Sequence, residues 1–265
     1  MSALVPAGLR RRRRLLHLIE RNYMVYRHAW MVLLSGAVEP LFYLFAIGIG
    51  VGGLVGDVST GAMDDVPYAV FVAPALLAAS AMNGAIYEST FNIFFKLRYA
   101  KTYDAMLTTP MEPRDIALGE IVWCQLRGLL YAVGFIAVML ALGLAPSLTG
   151  ALLAVPAAVL IGFAFGAVGT AAATLIRSWQ DMDLVQFVTL PLFLFSATFF
   201  PLEVYPAALR PLVQLSPLYH GVELLRSLTL GGVDAGVLVN IGYLVVMTAV
   251  GMVAAGRRIE RLLRA

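Results

Sequence analysis

LTGALLAVPAAVLIGFAFGAVGTAAATLI, residues 148–176, holds no Asp, Glu, Lys or Arg. A helix needs about 20 apolar residues to cross a hydrocarbon core, so this stretch reads as a transmembrane span. Five further apolar stretches, at about 30–55, 68–95, 116–144, 184–200 and 236–256, read the same way. The whole chain of 265 residues is 60% hydrophobic and 13% charged, against about 45–50% and about 25% in an ordinary globular domain. Lipid is therefore its main solvent.

Charge orients the spans. Threaded as six helices, they place Arg10–Arg14, Arg21, Arg27, Lys96, Arg98, Lys101, Arg114, Arg127, Arg177, Arg257, Arg258, Arg261 and Arg264 at or near one membrane face. Only Arg210 and Arg226 fall on the other. Basic residues stay on the cytoplasmic side of short loops, which predicts a multi-pass protein of the cytoplasmic (inner) membrane with both termini inside. The net charge of +3 is concentrated in an arginine run and a basic tail, suited to anionic lipid headgroups. Nucleic acid is not an expected partner, because no base-reading fold is built from apolar spans. The run Trp30–Val55 is too long for a signal peptide and reads as a retained helix.

Between the spans lie three punctuated segments. Residues 9–27 carry Leu15, Leu18, Ile19, Tyr23 and Tyr26 at helical spacing, with arginines left for another face. That pattern suits an amphipathic helix in the headgroup layer; a disordered basic tail is the alternative. Residues 96–115 form the main cytoplasmic excursion, with Tyr103, Asp104, Met106 and Leu107 on a short helix ended by Thr108-Thr109-Pro110. Its apolar side chains are expected either to meet a protein partner or to fold back on the bilayer surface. Residues 201–232 are broken by Pro201, Pro206, Pro211 and Pro217. Within them Ser216-Pro217 starts a helix, Leu218, Val222, Leu225 and Leu228 recur along it, and Gly231-Gly232 stop it. A pair of short helices on or dipping into the outer leaflet is predicted, and the chain reads as one domain, 1–265.

Several motifs fail. Gly48, Gly50 and Gly53 match G-x-G-x-x-G, but a dinucleotide site needs a strand before it and a soluble helix after it. Gly48 with Gly52, and Gly162 with Gly166, read better as small faces where helices approach closely, within the chain or between two copies. The Lys-Ser/Thr pair Lys101-Thr102 has Phe95 and Ala100 where a phosphate loop needs glycines. No catalytic constellation or metal cluster is visible and Cys124 is single, so a non-catalytic subunit binding no cofactor of its own is expected. Any ATP and Mg would belong to another polypeptide.

Three carboxylates, Glu39, Glu88 and Glu120, lie in or at the ends of apolar spans. Acids there face a bundle interior, a water path or a basic partner. Glu39 precedes Pro40, a site for a kink. Glu120 has Arg127, a basic residue of the N-terminal helix, or its own helix N-terminus to satisfy it. Tyr87, Phe193, Phe195, Phe199 and Phe200 either line a path for a bulky amphiphile or pack and anchor.

Five stretches together resemble one family: EPLFYLFAIGIG at 39–50, AMNGAIYE at 81–88, YDAMLTTP at 103–110, FFPLE at 199–203 and SPLYHGVELLR at 216–226. They are similar to the membrane-spanning permeases of ABC-2-type exporters, in the branch of nodulation-factor and daunorubicin-type efflux permeases. The resemblance implies an all-α domain of six transmembrane helices with an N-terminal interfacial helix, a cytoplasmic coupling helix near residues 99–109 and an outer re-entrant hairpin. It implies two cytoplasmic ABC ATPase subunits as partners, with a second permease copy or a related permease. On that reading Tyr103, Asp104, Met106 and Leu107 couple to the ATPase. Glu39, Asn83, Tyr87, Glu88, Phe195 and Phe199 are the expected substrate path for a lipid, lipid-linked glycan or drug. Glu120 and Arg127 form a charge network. The alternative is a proton-coupled secondary transporter or channel subunit using Glu39, Glu88 and Glu120.

Overall fold

A computed structural model describes residues 7–27, 31, 38, 40–59, 65–232 and 234–264. Helix α1 spans Ala7–Tyr26 and α2 Pro40–Val55. A two-stranded antiparallel pair, β1 Asp57–Val58 and β2 Val66–Pro67, follows. Then come α3 Tyr68–Arg98, α4 Thr102–Leu107, α5 Pro113–Ala141, α6 Leu148–Ala173 and α7 Met182–Leu194. The chain continues through a single turn at Leu202–Val204 into α8 Arg210–Leu215, α9 Pro217–Leu230 and α10 Ala235–Arg264.

Among the described residues four helices, α3, α5, α6 and α10, are long and apolar enough to cross a bilayer. Over the described residues the apolar helices α2 and α7 are shorter. At 1.5 Å per residue the 13 residues of α7 reach about 20 Å, short of a hydrocarbon core of about 30 Å. The stretch expected to span at 184–200 therefore stops at Leu194. Phe195 leaves the helical region, at φ −112° and ψ 36°, and Ala197 takes a left-handed φ of 54°. Conversely, the last span outruns its expected end at 256, and the basic tail through Arg257, Arg258 and Arg261 is helical.

Helix α6 is central and packs against α3, α5, α9 and α10. Lipid tails are as apolar as a leucine core, so association rests on close van der Waals packing and small residues. Ala154, Ala158, Ile161, Ala164 and Phe165 of α6 are all buried. A Cβ on Gly150 would strike the Leu228 carbonyl of α9, and one on Gly169 the Ser89 hydroxyl of α3. At Gly251 of α10 it would stand 2.9 Å from the Val168 nitrogen. These glycines set how near the backbones lie.

Helix α9 begins and ends where its residues say. Ser216 is extended at ψ 128°, Pro217 takes the first turn, and Gly231 stops the helix at φ 88°. Leu218, Val222 and Leu225 are wholly buried because α9 packs against α3, α6 and α10, which makes it part of the bundle. The Ser216 hydroxyl makes no cap and meets Ser196 Oγ at 2.6 Å instead.

Candidate functional site

Helices α3 and α5 face each other through two ion pairs. A π turn at Glu88–Asn92 interrupts α3 and buries Glu88, Ser89 and Thr90. Glu88 is ion-paired with Arg127 of α5, accepts a 2.6 Å bond from Asn92 Nδ2, and Arg127 Nη2 donates to the Tyr131 hydroxyl at 3.0 Å. Farther along α3, Lys96 Nζ reaches both oxygens of Glu120, at 2.9 and 2.7 Å. Helix α1 closes this second cluster: buried Asn22 donates to Glu120 and accepts from Lys96, each at 3.4 Å. Along the chain both helices carry acid before base, Glu88 then Lys96 on α3 and Glu120 then Arg127 on α5, so running antiparallel they bring each acid to a base. Two buried pairs make a costly mismatch of any other register.

This differs in detail from the expected network. Glu120 is paired with Lys96 and Arg127 with Glu88, rather than Glu120 with Arg127. Lys96 reads as a loop residue from composition, but α3 continues through Arg98 and carries it inside. The available signal was the four-residue spacing Glu88, Asn92, Lys96, which puts three polar groups on one helical stripe.

Beside this cluster lies α4. Its Tyr103 and Met106 are buried with Leu18, Ile93, Ile116 and Ala173. The expectation that these side chains meet a partner or the bilayer is therefore corrected: they pack inside the chain, because α1 and the start of α5 roof them over. Leu107 is half-buried, and Asp104, Ala105, Thr108 and Thr109 form the exposed face. Burial pushes the Tyr103 phenol well above its ordinary pKa, with the neighbouring Glu120 adding to the rise. Helix α4 is thus bolted through its apolar face to the ends of α1, α3 and α5.

The residues expected on a substrate path do not converge. Asn83 and Tyr87 are exposed, and Tyr87 stacks on Phe91 at 4.5 Å. Phe195 is exposed, and half-buried Phe199 packs edge-on to Phe193 at 5.1 Å. Glu88 is the buried member, and Glu39 lies outside the described residues. Gly48 and Gly52 pack on Ala69 and Tyr68 at the start of α3. Gly162 and Gly166 face Gln125 of α5, whose Nε2 is buried without a hydrogen-bond partner among the described residues. All four glycines thus serve contacts within the chain.

At the opposite end, Arg226 of α9 is buried and holds three elements. It bonds Glu223 at 2.6 Å and the Ala197 carbonyl at 2.9 Å, and its Cζ lies 3.9 Å from the centre of the Phe71 ring. Charge counting alone placed Arg226 on the outer side and missed this anchoring.

Comparison with known proteins agrees with this architecture. Residues 13–230 match the family model described as ABC-2 type transporter. The chain is 32% identical over 247 residues to Nodulation protein J of Rhizobium leguminosarum bv. viciae, covering 91% of this chain and 93% of that protein. It is 33% identical to Nodulation protein J of Rhizobium leguminosarum bv. trifolii, and 32% to that of Sinorhizobium fredii, over 84% of each chain in both cases. With a multi-pass bundle, spanning helices joined by buried charge pairs and a family match across most of its length, this chain belongs to the ABC-2 type transporter family of membrane permeases.

Proposed function

We propose that the chain is the transmembrane subunit of an ATP-driven exporter that moves an amphipathic substrate, a lipid, lipid-linked glycan or drug, from the cytoplasmic side outward. It works as a pair of permeases in the inner membrane, both termini inside, with two cytoplasmic ATP-binding subunits that supply ATP and Mg. The observation that carries this reading is α4. A six-residue helix sits at the end of the long span α3, clamped by Tyr103 and Met106, and turns Asp104, Ala105 and Thr108 outward. A rigid knob of this kind passes a push from a docked motor straight into α3 and α5, since packed helices move as bodies. Asp104 offers the charge, Ala105 and Thr108 the close approach, and Tyr103, Met106 and Leu107 the anchorage.

The test is Ala105→Arg with Thr108→Arg. The ATPase is expected to stop co-purifying while the permease's thermal midpoint stays unchanged. An ATPase that remains bound and substrate-stimulated overturns the docking face. The proton-coupled reading uses Glu39, Glu88 and Glu120, and of these Glu88 and Glu120 are each tied to a cation, Arg127 or Lys96.

A further inference from the structure

A groove of about 290 Å³ runs between α5 and α10 at the arginine-rich end of the bundle. Leu118 and Ile121 of α5 and Val253 and Gly256 of α10 form its apolar walls, and Arg114 and Arg257 stand at its mouth. A Cβ built on Gly256 meets nothing within 4 Å among the described residues, so there the glycine leaves the groove open rather than seating a neighbouring helix. The lining changes from apolar to basic within one turn, from Val253 to Arg257, the spacing at which a membrane passes from hydrocarbon to headgroup.

Charge decides the occupant. Arg114 is engaged by Glu260 at 3.1 Å, and Arg258 turns away to donate to Thr174 Oγ1 at 2.7 Å. Arg257 and Arg261 are exposed on the same helix. The charged residues lining the groove are thus both guanidinium groups, Arg114 and Arg257, set at the end of an otherwise apolar slot. We propose that this groove binds one anionic phospholipid, an acyl chain along Leu118, Ile121 and Val253 and the phosphate against Arg257 and Arg114. A zwitterionic lipid fills the slot but sets its ammonium against the arginines. Free phosphate satisfies the mouth and leaves the slot empty. Such a lipid would tie the last helix to α5 on the face away from α4.

The experiment is native mass spectrometry of the detergent-purified full chain, with phosphatidylglycerol or phosphatidylcholine of equal chain length. The wild type is expected to retain phosphatidylglycerol in preference. Arg257→Gln should weaken retention about fivefold, the effect of about 1 kcal/mol per basic residue at a lipid surface. Arg257→Lys should keep most of it, and Gly256→Trp should abolish it by filling the slot. Arg98→Gln removes an equal charge at the same end, outside the groove, and should change nothing. Several outcomes overturn the proposal: equal loss in Arg98→Gln, retention unchanged in both Arg257→Gln and Gly256→Trp, or displacement of the lipid by inorganic phosphate. A Gly256→Trp chain that leaves a dimer while keeping its lipid also overturns it, marking the face as an interface between copies. The Arg257→Gln arm stands even if the tryptophan variant fails to fold.

Discussion

Glu88 and Arg127 occupy one low-dielectric site, where each charge is tolerated because the other is present. Removing one partner strands the other, at a cost of about 3–5 kcal/mol. Arg127→Gln should lower the thermal midpoint in detergent sharply, and the double variant Glu88→Gln/Arg127→Gln should recover most of the loss; a double as unstable as the sum of two singles would refute the pairing. Tyr103 supplies a pH-dependent counterpart. Its raised pKa means the folded chain keeps a proton that the unfolded chain loses near pH ~10. That stability is fully present below this pH and drains away above it, so Tyr103→Phe should resist alkaline unfolding better than the wild type. The charged residues themselves were legible in the sequence, since Glu88, Glu120 and Arg127 stand out against apolar surroundings. Their pairing was not, because it depends on how far α3 runs and which stripe of α5 it faces.

Helices are specified by local grammar only where the grammar is strong. Ser216-Pro217, the four leucine and valine positions and Gly231 mark α9 without help. Gly231 holds φ 88°, a left-handed conformation that costs a side chain about 1–2 kcal/mol, so Gly231→Val should shift thermal unfolding downward by that amount without changing helix content elsewhere. The α3–α6 contact is less legible and more exacting. Gly169 leaves no room for a Cβ beside Ser89; Gly169→Leu should cost about 1–3 kcal/mol through overpacking and alter protease accessibility around the π turn. A Gly169→Leu protein with wild-type stability would show that the two helices do not meet there. The early end of α7 followed from no single residue. Pro191 removes one donor, but the break falls at Phe195, where Ser196 and Ala197 are held by bonds to Ser216 and Arg226.

Across the molecule, charge asymmetry predicts that α4 and β1 lie on opposite sides of the membrane. Cys124 is buried, so the wild type should resist maleimide in intact cells. In that background Thr108→Cys should react only after the membrane is permeabilised, and Asp57→Cys should react before. The reverse order would invert the topology. Membrane residence, the family and the ends of α9 followed from the sequence alone, because hydrophobicity, charge bias and turn residues act over one helix length. The burial of Tyr103 and Met106, the pairing of Lys96 with Glu120, the Arg226 anchor and the insertion of α9 among α3, α6 and α10 were decided by tertiary structure. Each depends on which helix faces lie against one another, and in a lipid-embedded bundle nearly every face is apolar enough to be the outside one.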